Sequence, residues 1–314
     1  MTRESEMIEK PTVLILGAGA SMEFNFPSGQ ELLVRVCDEL RGDRKEILFE
    51  VDFYEDEIIG FCGDLERSGQ TSVDAFLEHR PEFMEVGKAA IAMALLPSEN
   101  SSLTQLFNAG ANHWYKYLVN RLLGAFEEIE TNKLSILTFN YDRSFEHYLF
   151  EVLKTRYGKS DEECARKIEQ LPIIHLYGQL GLLPWQKYYI ESDEDPVPYG
   201  NAVNPHMLRQ CAKGINIVHE DIEDSPQFIE AHKLINAADR IYFLGFGYLP
   251  TNVARLQLKG FIKKPGIQIG GSSLGLVGRE CIRINQILFG GLKRVVQASP
   301  SKCLAWLRNN ADLD

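Results

Sequence analysis

The chain has 314 residues, 45% of them apolar and 25% charged, which excludes collagen-like, coiled-coil and broadly disordered chains. Lys and Arg number 33 against 44 Asp and Glu, so the net charge is 33 − 44 = −11. That balance argues against a duplex-binding face, which needs clustered cations, but not against a small anion held by backbone N–H groups.

The first ten residues are polar and lack the apolar centre of a signal peptide. No run of about 18 apolar residues predicts a membrane span. Cys37, Cys62, Cys164, Cys211, Cys281 and Cys303 are scattered, without a CxxC pair or a zinc-knuckle spacing. Reduced thiols in a cytoplasmic protein, with no metal, are expected.

Residues 12–16 (TVLIL) read as a buried parallel strand running into Gly17-Ala18-Gly19-Ala20-Ser21. Leu32, Leu33, Val36 and Leu40 have helical spacing, which predicts a helix over 30–40 with Ser28 as its cap. Residues 41–130 read as mostly helical: a cap-like Ser72, an Ala- and Met-rich stretch over 86–96, and aromatic and Leu repeats over 114–129. Strand signals return at 134–139 (LSILTF), followed by Asn140-Tyr141-Asp142 and a helix over 143–153. Further strands are expected at 172–176 (PIIHL), 240–244 (RIYFL) and 266–269 (GIQI), and further helices over 276–288 and 301–307.

The fold expected is α/β: a Rossmann-like, doubly wound parallel sheet with a helical insertion subdomain and no zinc ribbon. Residues 11–40 and 131–295 would form the core, 41–130 the insertion and 296–314 a C-terminal helix or tail. Ligands of such sheets collect at the carboxyl ends of the strands, where most of the polar and Gly clusters fall.

The Gly17–Ser21 turn could let a pyrophosphate approach the backbone. Met22 stands where a GxGxxG fingerprint needs its last Gly, and no ribose-binding acid ends a second strand about 20 residues later, which weakens a hydride-transfer reading. Thr138, Asn140 and Asp142 alternate past a strand end and would point into one crevice. His175, near another strand end, could serve as a general base. Gly245-Phe246-Gly247-Tyr248 and Gly271-Ser272 are further turns after strands.

In order, GAGAS, the Phe26-Pro27 turn, TFNYD, His175 and the late GxG turn resemble the sirtuin fold of NAD-consuming enzymes, in particular the sirtuin-like NAD hydrolases of bacterial anti-phage defence. The likeness spans residues 13 to about 280. It implies NAD+ as substrate, bound by Gly17, Ala18, Gly19, Ala20, Ser21, Phe26, Pro27, Thr138, Gly245, Phe246, Gly247, Tyr248, Gly271 and Ser272. It implies that Asn140 and Asp142 hold the nicotinamide ribose and carboxamide, that Asn140 places a water, and that His175 is the catalytic base. Only Cys211 lies between His175 and Arg240, so the zinc ribbon of the deacylating members is missing.

The same resemblance implies release of nicotinamide and ADP-ribose, a homo-oligomer, and a separately encoded regulatory partner such as a HerA-type ATPase, with neither nucleic acid nor membrane bound directly. A nucleotide-binding regulatory module without turnover, an NAD cyclase and an ADP-ribosyltransferase stay open as alternatives.

Overall fold

The structure is a computed structural model, and it describes residues 7–217, 225–258, 266–273, 275–289 and 302–314. Five strands form one sheet: β1 (Thr12–Leu16), β2 (Leu134–Thr138), β3 (Ile173–His175), β4 (Arg240–Leu244) and β5 (Gln268–Gly271). They pair in parallel, in the order β3-β2-β1-β4-β5. Every residue of β1, β2 and β4 is buried. Helices cover both faces of such a sheet, which is why these strands read as mostly apolar runs without a regular polar alternation.

Leu16 is level with Thr138 on one side and with Leu244 on the other. The turns that follow β1, β2 and β4 therefore lie side by side. The chain winds outward from β1 through β2 to β3, then returns to place β4 on the other flank. The switch point between β1 and β4 is where an open α/β sheet leaves a crevice.

The helices are α1 (Gly29–Arg41), α2 (Glu46–Phe49), α3 (Glu55–Arg67), α4 (Val73–His79), α5 (Met84–Phe107), α6 (Trp114–Leu122), α7 (Ser144–Tyr157), α8 (Asp161–Glu169), α9 (Pro205–Lys213), α10 (Pro226–Ala237), α11 (Pro250–Arg255), α12 (Gly278–Phe289) and α13 (Cys303–Asn310). Ser28 caps α1 as its position predicts: its hydroxyl accepts from the Glu31 N–H, and the Glu31 carboxylate accepts from the Ser28 N–H. Ser72 likewise caps α4.

Residues 41–130 are helical as expected, from α2 through α6, inserted between β1 and β2. Between Val86 and Leu96 nearly every α5 residue is buried, as befits a central helix that is apolar all round. It packs on α1 and α9 within a hydrophobic core continuous with the sheet. Glu99 of α5 forms a buried ion pair with Arg143, which precedes α7, and Arg143 also donates to the Val197 carbonyl.

The last strand lies at Gln268–Gly271, two residues beyond its expected start. A side chain at Gly270 would meet the Trp306 ring at 2.7 Å, so Gly270 belongs to the strand because α13 packs against it. The C-terminal segment forms helix α13, whose Cys303, Trp306 and Leu307 are buried. Trp306 meets Tyr242 of β4 at 5.4 Å, and buried Arg240 binds both the Asp312 carboxylate and the Asp314 carbonyl. Residues 296–301 of that expectation lie outside the described residues. No described helix is long and apolar enough to cross a membrane.

Removing one partner of a buried ion pair strands the other charge, at a cost of about 3–5 kcal/mol. Glu99→Ala is expected to lower the unfolding free energy by that much in urea titration; a loss below about 1 kcal/mol would show the pair to be inconsequential.

Candidate functional site

The turns after β1 and β4 are built into each other. Gly17 donates its N–H to the Leu244 carbonyl at 3.1 Å, and Gly19 to the Gly245 carbonyl at 2.9 Å. Gly245 has φ of +57°, and a Cβ there would overlap the Ala20 nitrogen. A Cβ at Gly19 would lie 2.8 Å from the Gly245 carbonyl oxygen. These glycines are thus required by backbone meeting backbone.

The same packing consumes most of the supposed phosphate cradle. Ala20 donates to the Gly17 carbonyl and Ser21 to the Ala18 carbonyl. The N–H groups of Gly17, Gly19, Ala20 and Ser21 are therefore all spent inside the protein. No α-helix opens directly after the turn either: two short 3-10 turns, Ala18–Ala20 and Met22–Phe24, precede α1. Trp114 of α6 braces the loop through a 2.8 Å bond to the Ala20 carbonyl.

The Thr138–Asp142 motif locks itself to this loop. The Thr138 hydroxyl accepts from the Asn140 N–H at 3.0 Å. The Asn140 amide donates to the Gly17 carbonyl at 3.1 Å and to the Ser21 hydroxyl at 3.2 Å. Ser21 in turn donates to Asp142 at 2.7 Å, while Ser144 binds the other Asp142 oxygen through both its N–H and its hydroxyl. Asp142 is buried, and burial holds its carboxyl above the ordinary range against the lowering effect of the Ser144 and Ser21 bonds.

A cleft of about 820 Å³ opens over the switch point. Gly17, Ala18, Gly19, Asn140, Gly245, Phe246, Gly247 and Ser272 line it, as expected of cofactor-binding positions. Ala20, Ser21, Phe26, Pro27, Thr138, Asp142, Tyr248 and Gly271 are not among its lining residues. Phe26 and Pro27 are buried, and Tyr248 is buried against Phe243 and Phe246.

His175 does not reach the cleft. It is the last residue of β3, and both its ring nitrogens are taken: Nδ1 meets the Asn140 carbonyl at 2.8 Å and Nε2 the Glu146 carboxylate at 2.5 Å. Burial alone would lower its pKa, but the Glu146 charge and hydrogen bond, helped by the Asn140 carbonyl, outweigh burial and raise it. An imidazole held in this way is a strut for the Asn140 backbone, not a free base. Tyr177, two residues on and past the strand end, lines the cleft instead. Its hydroxyl donates to Asn252 at 2.7 Å and accepts from Arg255 at 2.6 Å. Burial pushes its pKa up to about 12, although Arg255 pulls the other way.

The far wall carries residues that sequence reasoning missed. Asp74 and Glu78 of α4 face the cleft, as do Glu23, Asn252, Lys302 and Cys303. Glu78 pairs with Arg255 at 3.1 Å, and Asp74 accepts the Tyr141 hydroxyl. Asp74 and Glu78 are four apart, so they share one helix face, a signal that was legible once α4 was known to lie over the strand ends. No protein-family model matches the chain, and no curated protein matches it significantly.

The raised His175 pKa carries a sign. Its contribution to stability is fully present below about 6.5, the ordinary histidine value, and is lost as pH rises through the folded value above it. The difference in unfolding free energy between wild type and His175→Gln should stay flat below about pH 6 and shrink above 6.5, by at most about 1.4 kcal/mol per pH unit. A difference that grows with pH would contradict the pairing.

Proposed function

We propose that the chain is an NAD+ glycohydrolase that releases nicotinamide and ADP-ribose, similar to the sirtuin-like effectors of bacterial anti-phage defence. The observation that carries this reading is the place of Asn140. Its side chain lines the cleft at the switch point, and its amide nitrogen is fixed by the Gly17 carbonyl and the Ser21 hydroxyl. The amide oxygen is left to accept from a ribose hydroxyl or from an attacking water. A cleft of about 820 Å³ falls within the usual range for small-molecule and cofactor sites, about 300–1,000 Å³.

The roles of the residues shift from those the motif order implies. With four N–H groups of the first turn spent, the phosphates would lie along the rim formed by Ala18 and Gly247, near Lys302. Asp142 and Thr138 hold the loop and Asn140 rather than substrate. His175 positions the Asn140 backbone. The nicotinamide leaves as a neutral ring, so no proton has to be delivered to it. Water adds to the anomeric carbon as the bond from that carbon to the nicotinamide nitrogen breaks, and its proton passes to bulk solvent. Asn140 contributes by fixing the reacting geometry, an effect that a small displacement can cost 100-fold. The defence role, the homo-oligomer and a partner such as a HerA-type ATPase belong to the same proposal and rest on the motif order alone.

One observation favours a second reading, a nucleotide-binding module without turnover: the only histidine in the motif set has no free ring nitrogen. Nicotinamide release from NAD+ by the purified chain separates the two. The hydrolase reading expects turnover that falls at least about 100-fold in Asn140→Ala, with binding retained. NAD+ binding without any product would establish the second reading.

A further inference from the structure

Cys37 and Cys62 lie 25 positions apart, so no CxxC spacing announces them. The fold nonetheless brings them together. Cys37 belongs to α1 and Cys62 to α3, two helices that pack against each other. The Cys62 thiol donates to the Cys37 carbonyl at 3.9 Å. Glu66 follows Cys62 by four residues on the same face of α3, and Arg41 follows Cys37 by four on α1. The two thiol sulfurs and a Glu66 carboxylate oxygen all lie within 4.8 Å of one another.

Two thiols and a carboxylate at that separation suit a borderline-soft, four-coordinate cation. Zinc–sulfur bonds near 2.3 Å and zinc–oxygen bonds near 2.1 Å set tetrahedral ligand atoms about 3.6–3.8 Å apart. Closing the cluster therefore takes little more than about 1 Å of side-chain movement. Cys37 and Cys62 are 3% and 6% exposed, whereas Glu66 reaches solvent, so the cluster is closed below and open at its rim. A divalent cation leaves one negative charge on three anionic ligands, and the Arg41 guanidinium, which pairs with Glu66, balances it. Without a cation both thiols are held protonated. Burial, with Cys62 beside it, pushes the Cys37 thiol up to about 12, and burial raises Cys62 although Arg41 pulls the other way.

We propose that Cys37, Cys62 and Glu66 form a metal site of the zinc class that clamps α1 to α3, with water in the fourth position. Binding breaks two S–H bonds and forms two metal–sulfur bonds, and both protons pass to solvent. The Glu66 carboxylate turns from Arg41 to the metal, and Arg41 stays beside it as a counter-charge. None of the three ligands lines the cleft, so the site stands apart from the dinucleotide reading. Ser28 and Gly29, at the start of α1, do line it, so the clamp fixes a helix that borders the cleft.

Cobalt(II) titration of the untagged full chain, under a non-thiol reductant, tests the site without reference to turnover. One cobalt per chain should bind with a thiolate-to-metal charge-transfer band in the near ultraviolet, and zinc should displace it. The zinc Kd should be about 1 µM or tighter. Glu66→Ala, at an exposed position, should fold and weaken zinc at least about 10-fold. The double variant Cys37→Ala, Cys62→Ala should lose the band, and zinc should raise Tm in the wild type but not in this variant. No thiolate band in the wild type, a band kept by the double variant, or a zinc affinity unchanged in Glu66→Ala would overturn the site. If the double variant does not fold, the wild-type band and the Glu66→Ala affinity decide the matter.

Discussion

The Gly245 carbonyl accepts the Gly19 N–H at 2.9 Å, and the two turns that carry these residues leave no room for a side chain between them. The level ends of β1 and β4 bring the turns together, and the left-handed Gly245 lets them touch. The crevice is shaped outward from that contact. Trp114 holds the first turn from the insertion side, and Asp142 holds it from the β2 side through Ser21. A loop fixed from three directions gives a rigid floor on which a ligand meets preset geometry.

Polar residues around this floor divide into those that hold and those that face. Thr138, Asp142 and His175 have their polar atoms taken by protein partners and are buried. Buried polar groups must be satisfied, and here the satisfaction is itself the scaffold. Asn140 does both: it is tied to the loop and lines the cleft. Tyr177 and the carboxylates of α4 face the cleft too, each tied to a protein partner. The helices between β1 and β2 are thereby joined to the site as well as to the core, through Asp74, Glu78 and the Glu99–Arg143 pair.

The sheet was legible because burial on both faces leaves apolar runs such as TVLIL, LSILT and RIYFL. The α1 cap was legible because Ser28 and Glu31 stand at capping-box spacing. Helices α8, α9 and α10 lie outside the elements that apolar spacing predicts, although each opens on a cap signal: Ser160 with Glu163, Asn204 with Pro205, Ser225 with Pro226. At the site, the glycines were found but their reason was not, since a backbone contact across more than 220 residues leaves no local pattern. His175 and Tyr177 alternate onto one face of a strand-like run, and only the register of β3 with β2 shows which of them passes the strand end. The acidic wall was invisible because nothing in SVDAFLEH tells where α4 comes to rest.

A crystal structure of the chain with a non-cleavable carbocyclic NAD+ analogue tests the central claim most directly. The account predicts the analogue lying across the interlocked turns, its nicotinamide ribose against Asn140, and His175 still bound to Glu146. A ligand seated away from the β1–β4 crevice, or a His175 ring released to contact it, would contradict the account.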